Sequence, residues 1–572
     1  MPPRLACLLA VMLATSGCAA AASVAQAAEP STPLVRIPFP QEDGSLTPYT
    51  FELGYGLMTL VYDTLTERDA HGTPQPLLAR SVERRGRTVT VRLRRGARWH
   101  DGRPLTADDV VFTFERFAQR RQPRFTPQLR DIERVVALDA RTVAFRLRRA
   151  SLGFAELPLA DVPIIPRHLW QALPPGRRAP AGLPVGSGPY RLVEHRPGKL
   201  YRFQANRRWF RTPRVAEIRV PIVRTTRAAL DALRSRKVDA LPLTPAPTEA
   251  AGLGEVGVEL LTGPSYTGTV LAFDVRAAPF DDPAVRRAVG QALDLDRIVT
   301  ALGPPGADPV AVPADRGYVH PDSPWASARL HAFRPDAARV ALAERALPPL
   351  TILASKDDAL RQEGGRQVVL SLRRIGVDAR LVSLPQERFE RALATSTTGS
   401  SFQAAITTAA PLASRDPSFL PALFGSDSGS LGQTGYASAR FDRAAARIGA
   451  AGSRAARRRA VAATLRVLAD DSPVVPLFFA RAAFPFRPAV YDGWPLARGG
   501  DLLDKASFVG ARAGKPTARE RIPPAATDPI DDLGKSGDGG LSLAVLVLAA
   551  CALVGGGIAY WRFGRGPRGS SR

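Results

Sequence analysis

Residues 541–560 form a run of 20 residues that contains no charged side chain. A helix of that length extends about 30 Å, at about 1.5 Å per residue, which matches the hydrocarbon core of a bilayer. The next aromatic and basic residues are Trp561, Arg562, Arg565, Arg568 and Arg572. Arginines after an aromatic residue are typical of the cytoplasmic end of a membrane helix. The sequence therefore predicts a transmembrane helix over 541–561, a cytoplasmic tail over 562–572, and an extracytoplasmic position for the rest of the chain.

The other end of the chain predicts export. Residues 1–27 carry one charge, Arg4, ahead of an apolar stretch, which is the pattern of a signal peptide. Two cleavage sites compete, a lipoprotein-like box at Cys18 and a small-x-small site that ends at Ala27. We favour the second site because lipoprotein boxes usually carry Leu where this chain has Thr15. Lipidation of Cys18 stays the alternative.

Between these ends, residues 28–511 have the composition of a globular body. The whole chain is 45% hydrophobic, and its only cysteines are Cys7, Cys18 and Cys551, so the body is predicted to have no disulfide and no thiolate metal site. The formal net charge is +25, but the basic clusters are scattered and lack interleaved aromatic residues, which argues against nucleic acid as a partner. Residues 512–540 are rich in Pro, Gly and charge and predict a flexible linker.

Strands and helices alternate in the body. Residues 88–93 alternate apolar and polar side chains, which predicts a strand, and Thr106 with Asp109 predicts the capped start of a helix. A strand at 351–354, a helix that ends at Gly376 and a returning strand form a predicted βαβ unit. The fold class is therefore α/β, with a parallel sheet in at least one lobe.

Enzymatic chemistry finds no support in the sequence. The six histidines show no pair at metal-ligand spacing, and residues 425–429 resemble a serine elbow with Asp427 where the nucleophile should stand. No phosphate loop or dinucleotide fingerprint is present. We predict neither a catalytic residue nor a cofactor or metal.

Eight blocks in a fixed order resemble family 5 of the extracellular solute-binding proteins, the peptide, nickel and opine receptors of ABC importers. The most specific block is TVTVRLRRGARWHDGRPLTADDVVFTFERF, residues 88–117. Other blocks include GSGPYRL at 186–192 and LAFDVRAAPFDDPAVRRAVGQALDLDRIV at 271–299. The resemblance covers about residues 34–510. These blocks are best interpreted as scaffold, since Trp99 and the Gly186 turn suit packing better than ligand contact.

The resemblance implies a two-lobed periplasmic binding protein-like fold of class II that closes on a solute by hinge bending. By similarity, the body divides into lobe I at about 31–70, 186–268 and 478–511, an extra subdomain of lobe I at about 71–185, and lobe II at about 269–477. The implied contacts come from the segment after the first strand, the crossing strand and a lobe II loop. The candidate ligand-binding residues are Glu52, Tyr55, Tyr266, Thr267, Thr407, Thr408, Arg415 and Asp416.

One position departs from the family pattern. Peptide receptors of this family hold the ligand's amino terminus with an aspartate shortly before an acidic residue and proline. Here Asp416 and Pro417 are present, but the earlier carboxylate is replaced by Ala413. A buried ammonium group needs a paired anion to offset its desolvation. The sequence thus predicts an anionic, amine-blocked or non-peptide solute.

Two functions fit these features. In the first, the chain is the monomeric extracytoplasmic receptor of an ABC importer, anchored by its C-terminal helix, and its partners are a small peptide-like or other solute, a permease and an ATPase. In the second, it is a membrane-anchored solute sensor or assembly factor that uses the same fold without transport. Only 11 residues follow Trp561, too few for a signalling domain, so we favour the importer.

Truncation after Arg512 tests the predicted anchor. We expect the full chain to stay with membranes through high-salt and carbonate washes, because about 20 apolar residues suffice to span the hydrocarbon core. The truncated chain should be recovered in the soluble fraction as a monomer. Recovery of the full chain in the soluble fraction would show that 541–561 does not span a membrane, and mass spectrometry of a diacylated Cys18 would overturn the predicted cleavage at Ala27.

Overall fold

The computed structural model describes residues 30–509, except 52–53, 70–72, 123, 156, 175–176, 246, 251, 304–308, 396–401, 410–413, 415, 427–433 and 496–501. The predicted signal peptide, linker, transmembrane helix and tail lie outside these residues. Among the described residues, every helix is too short or too polar to cross a bilayer.

Sixteen strands are described. They are β1 (Thr32–Arg36), β2 (Thr66–Arg68), β3 (Pro74–Pro76), β4 (Ala79–Arg85), β5 (Thr88–Leu93), β6 (Ile132–Asp139), β7 (Thr142–Leu147), β8 (Tyr190–Arg196), β9 (Leu200–Ala205), β10 (Val215–Pro221), β11 (Glu259–Phe273), β12 (Ala311–Pro313), β13 (Leu350–Ser355), β14 (Ala379–Leu384), β15 (Ala404–Ala409) and β16 (Val474–Phe486).

The described helices accompany these strands. They are α1 (Tyr55–Val61), α2 (Ala107–Gln119), α3 (Pro158–Asp161), α4 (Arg167–Trp170), α5 (Thr226–Arg234), α6 (Pro247–Ala250), α7 (Pro283–Gln291), α8 (Leu295–Ala301), α9 (Pro335–Ala343), α10 (Ala359–Arg374), α11 (Gln386–Thr395), α12 (Leu420–Phe424), α13 (Ala439–Ala450) and α14 (Arg454–Asp471). Short 3-10 helices cover Thr126–Leu129, Gly254–Val256, Pro417–Phe419 and Lys505–Ser507.

The strands form three main sheets and one hairpin. The names lobe I, extra subdomain and lobe II are used here for the residue ranges predicted from the sequence. The order is β1-β10-β9-β8 within the range of lobe I, β4-β5-β7-β6 within that of the extra subdomain, and β12-β16-β11-β15-β13-β14 in the largest sheet, while β2 pairs with β3. The predicted βαβ unit is confirmed, because β13 runs parallel to β14 and α10 lies between them in sequence. Gly376, at φ +86°, ends that helix in a conformation that suits glycine.

The sequence also located the start of α2. Thr106 precedes it, and the backbone N–H of Thr106 donates to Asp109 Oδ2 at 2.9 Å, the predicted capping interaction. The same carboxylate accepts from the indole of Trp99 at 3.3 Å and from the backbone N–H of Arg167 at 2.9 Å. Asp109 therefore joins the Trp99 segment to α2 and α4 of the extra subdomain, as expected of scaffold.

The two longest strands, β11 and β16, take part in the cores of both lobes. Leu261 and Phe484 pack with the lobe I core, whereas Phe273 and Leu477 pack in lobe II. In lobe II, successive residues of β11 enter opposite cores: Val270 and Ala272 lie in one cluster, Leu271 and Phe273 in the other. Helices cover both faces of this sheet, so its strands are buried on both sides.

The last described segment is held by a buried ion pair against Asp63, which follows α1 in the chain. Lys505 Nζ donates to Asp63 Oδ1 at 2.5 Å and to the Tyr62 carbonyl at 3.2 Å. The other Asp63 oxygen accepts from the indole of Trp209 at 2.8 Å. The side chains of Lys505 and Asp63 are 7% and 0% exposed, so loss of either partner would leave a buried charge without compensation.

Gly186 lies where no side chain fits. A Cβ built on Gly186 would be 1.9 Å from the carbonyl oxygen of Val61, while the neighbouring glycine, Gly188, donates its N–H to that same oxygen at 2.8 Å. The loop thus packs backbone against backbone at the end of α1. This close approach explains the Gly-Ser-Gly block as packing and turn chemistry.

Gly186→Ala tests this packing. We expect the free energy of unfolding to fall by about 1–3 kcal/mol or more, since the methyl group can be accommodated only by a backbone shift. Gly254→Ala is the matched control, because a Cβ there meets nothing within 4 Å, and its effect should stay within about 1 kcal/mol. Urea unfolding followed by circular dichroism measures both, and equal effects of the two substitutions would contradict the packing argument.

Candidate functional site between the lobes

The candidate site lies where β11 leaves lobe I and enters lobe II. The pairing of β11 with β16 is interrupted between Pro264 and Gly268, so the predicted residues Tyr266 and Thr267 occupy an irregular part of the strand. After Gly268 the ladder resumes, with β15 now pairing on the other side of β11. Irregularities of this kind change the direction of a side chain and are common beside functional sites.

Two more predicted residues lie beside this point on β15. Thr408 is opposite Thr269 and Thr407 is opposite Val270. Thr407 is 8% exposed and Tyr266 is 4% exposed, so both side chains are buried in the described structure. The fold therefore brings the crossing-strand and lobe II candidates to the same region of one sheet.

An aromatic and histidine cluster continues from Tyr266. Its ring lies 4.9 Å from the His320 ring, centroid to centroid, and His320 lies 5.0 Å from the ring of Phe479 on β16. The backbone N–H of His320 donates to Ser414 Oγ at 2.9 Å. Ser323 Oγ donates to the Ser414 carbonyl at 2.6 Å. These bonds join the predicted lobe II loop to the segment 320–323, whose His320 ring contacts Tyr266 and Phe479 of the crossing strands.

Asp416 lies at the end of that loop and is 1% exposed. Its Oδ1 accepts from the backbone N–H of Ser418 at 2.9 Å and from the guanidinium of Arg457, which donates to Ser418 Oγ at 2.6 Å. Its Oδ2 is buried and has no hydrogen-bond partner among the described residues. Arg457 also lies 4.6 Å from the centroid of the Trp325 ring. Asp416 is therefore a member of a buried ion pair.

Arg457 also marks a contact between the lobes. A Cβ built on Gly153, which belongs to the extra subdomain, would lie 2.6 Å from Arg457 Nη2 and 3.3 Å from Ser418 Oγ. Arg149 of the same subdomain approaches Gly449 of lobe II, whose Cβ would lie 3.7 Å from Arg149 Nη2. The extra subdomain and lobe II thus touch on this side of the molecule.

The Tyr55 side chain contacts residues of the extra subdomain. Its hydroxyl donates to Asp161 Oδ1 at 2.8 Å, and the Arg124 guanidinium lies 3.7 Å from the centroid of its ring. Arg124 and Asp161 form a buried ion pair with an N–O distance of 2.8 Å. Burial, reinforced by the Asp161 charge, raises the pKa of Tyr55 well above its usual value. The structure therefore uses Tyr55 to tie α1 to the extra subdomain.

Two candidates lie outside the described residues. They are Glu52 and Arg415, and the replaced carboxylate position, Ala413, is also outside. His320, Trp325 and Arg457 were not singled out in the sequence, although the structure places them with Tyr266 and Asp416. Within the described ranges, no group of three or more His, Cys, Asp or Glu side chains is arranged for a metal ion.

Solved structures share this architecture. The substrate-binding protein CtaP of Listeria monocytogenes has a TM-score of 0.73 at 20% identity, and the match covers 83% of this chain and 99% of that protein. The oligopeptide-binding protein AppA of Bacillus subtilis, solved with a nonapeptide, has a TM-score of 0.67 at 19% identity, over 84% and 99% of the two chains. The fold is therefore the two-lobed α/β fold of periplasmic binding proteins.

The sequence comparison defines the family. Residues 73–430, more than half of the chain, match the model for the middle region of bacterial extracellular solute-binding proteins, family 5. The chain belongs to this family, and the resemblance in its sequence blocks is confirmed.

Curated relatives match over a smaller part of the chain than the solved structures do. Protein XP55 of Streptomyces lividans is 26% identical over 59% of this chain and 65% of its own length. The dipeptide-binding protein of Escherichia coli is 27% identical over 39% and 45%. The matches therefore span less than two thirds of the length of these relatives.

A double-mutant cycle tests the buried pair. We expect Asp416→Ala to lower the free energy of unfolding by about 3–5 kcal/mol, because it leaves the Arg457 charge buried without its anion. Arg457→Ala should cost a similar amount, and the double variant should cost less than the sum of the two. Urea unfolding gives the three values. Additivity within about 0.5 kcal/mol would mean that the two side chains do not depend on each other.

Proposed function

We propose that the chain is the extracytoplasmic receptor of an ABC importer, which binds a small solute between its lobes and delivers it to a membrane permease. The observation that carries this proposal is the family match together with β11 and β16, which enter the cores of both lobes beside the candidate residues. A pair of connecting strands is suited to hinge bending around a bound solute. No chemical step is part of this function.

The candidate contacts are retained as part of the proposal. They are Glu52, Tyr55, Tyr266, Thr267, Thr407, Thr408, Arg415 and Asp416. Tyr266, Thr267, Thr407 and Thr408 have the strongest support, because they meet at the strand crossing. Asp416 supports the site by fixing its loop to Arg457. The proposed anchor over 541–561 would keep the receptor at the membrane that holds the permease.

The solute class is the least constrained part of the proposal. Neighbours in the fold include a protein solved with a nonapeptide, a dipeptide-binding protein in complex with Met-Leu, and a nickel protein of Campylobacter jejuni in complex with Ni(L-His). The same architecture therefore accepts peptides and other solutes. Because Ala413 replaces the carboxylate that the family pattern places there, we propose an anionic, amine-blocked or non-peptide solute for this chain.

A thermal-shift screen of the purified full chain in neutral detergent tests receptor function. A solute that binds only the folded state stabilises it in proportion to the logarithm of its concentration. The screen should compare free di- to pentapeptides, the same peptides with acetylated amino termini, and metal chelates. A solute that raises the melting temperature should also compact the protein in small-angle scattering, as the lobes close. Binding without compaction would argue against the hinge mechanism.

Substitution of Ala413 tests the proposed solute class. Free short peptides should bind the natural chain weakly, and Ala413→Asp should strengthen their binding roughly tenfold or more, because a charge-assisted hydrogen bond contributes about 1.5–3 kcal/mol. Ala413→Asn is the matched control, since it has a similar shape without the charge, and it should give little gain. Calorimetry decides the matter. Tight binding of unmodified short peptides to the natural chain would place the amine site elsewhere.

A further inference from the structure

A cavity is formed by residues that are separate in sequence from those of the candidate site. Its volume is ≈ 380 Å³, within the range of small-molecule sites, and every residue that lines it falls between Pro30 and Ala216. The lining comes from the loop after β5, the start of β8, and the end of β9 with the loop that follows. The cavity thus lies between the extra subdomain and the lobe I sheet, and lobe II contributes nothing to it.

The lining of this cavity is strongly basic. Among the described residues, the lining contains six arginines and no aspartate or glutamate. The six are Arg94, Arg95, Arg98, Arg191, Arg207 and Arg208. Carboxylates close to this region are already engaged, since Asp101 accepts from His168 at 2.7 Å and Glu67 accepts two bonds from Arg211, at 2.7 and 2.8 Å. The positive charge of the cavity is therefore not neutralised by its own walls.

Some of these arginines are held in place and others are available. The Arg94 guanidinium donates to the Leu77 carbonyl and lies 4.5 Å from the centroid of the Phe210 ring, and Arg98 donates to the Gly102 carbonyl at 2.9 Å. In contrast, the side chains of Arg95, Arg191 and Arg208 make no hydrogen bond or ion pair with any described residue. Arg95, Arg191 and Arg208 are therefore available to a ligand, while Arg94 and Arg98 are fixed by contacts within the protein.

The strand register directs one of these arginines into the cavity. Arg191 on β8 lies opposite Gln204 on β9, and both line the cavity, as expected for cross-strand neighbours on one face. His100 adds no charge: it accepts from the Gly186 N–H through Nδ1, and its other ring nitrogen is bonded to the Gly188 carbonyl. Burial lowers the pKa of His100 to about 4. The guanidinium groups are thus the charged groups of this site.

We propose that this arginine-lined cavity is a second binding site, which takes a phosphate-bearing anion. Several guanidinium groups around one small volume match the multiple acceptor oxygens and the charge of phosphate, which arginine can bind in bidentate geometry. A monocarboxylate would leave most of that positive charge uncompensated. The phosphate can belong to a free anion or to a lipid headgroup. The site is independent of the solute site between the lobes.

Titration of the full chain in neutral detergent with inorganic pyrophosphate tests this site. The test variant carries Arg95→Gln, Arg191→Gln and Arg208→Gln. The control carries Arg374→Gln, Arg388→Gln and Arg459→Gln, which change exposed arginines of lobe II and alter the net charge equally. Calorimetry should show binding to the natural chain that weakens roughly tenfold or more in the test variant and changes little in the control. Binding should also weaken between about 0.02 and 0.2 M salt, since exposed charges are screened.

Several results would overturn the proposal. They are equal losses in the two variants, no binding of pyrophosphate at millimolar concentration, or equal binding of the tricarboxylate citrate. If the test variant melts earlier than the natural chain, the single variant Arg191→Gln replaces it, with an expected loss of about threefold. Binding to a lipid headgroup is tested with dihexanoyl phosphatidylglycerol. The control is the zwitterionic phosphatidylcholine of the same chain length. Binding of pyrophosphate alone supports a free anion, and selective binding of the phosphatidylglycerol supports a headgroup.

Discussion

The cores of both lobes depend on the pairing of β11 with β16. Both strands leave one hydrophobic core and enter another, so their side chains must satisfy two packing environments within one continuous ladder. The interruption between Pro264 and Gly268 falls between those environments. In this interval the side chains need not alternate regularly between the two faces of the sheet. Residues such as Tyr266 can therefore point toward the candidate site. The candidate site therefore lies where the two strands pass from one core to the other.

Three buried ion pairs connect separate segments of the described fold. Asp63 with Lys505, Asp161 with Arg124, and Asp416 with Arg457 are each buried ion pairs supported by further hydrogen bonds. Each pair joins segments that are distant in sequence. Replacing a buried pair by apolar residues is often neutral for stability, so these pairs are better understood as devices that specify which segments meet. The arginine-lined cavity is the contrasting case, because the described residues that line it include no acidic side chain.

The sequence predicted the parts of the fold that depend on neighbours in the chain. The cap at Thr106, the stop at Gly376 and the βαβ unit all arise from local preferences and short connections, and the structure contains them. The site was predicted less completely, because the meeting of Tyr266 with His320 or of Asp416 with Arg457 depends on tertiary packing. A lone histidine or one arginine in a basic chain carries no signal of such a contact. Family resemblance supplied the general location of the site, and only the coordinates supplied its partners.

The ion pair between Lys505 and Asp63 has a mechanical consequence. It fixes the last described segment to Asp63, in another part of lobe I, so a force transmitted through the chain beyond residue 509 would reach lobe I first. Such a load would be borne by the Asp63 network and not by the connecting strands. In the proposed hinge motion, lobe II would move about β11 and β16 without pulling on that attachment. With the proposed anchor over 541–561 and the proposed hinge, the point of attachment would be separate from the joint between the lobes.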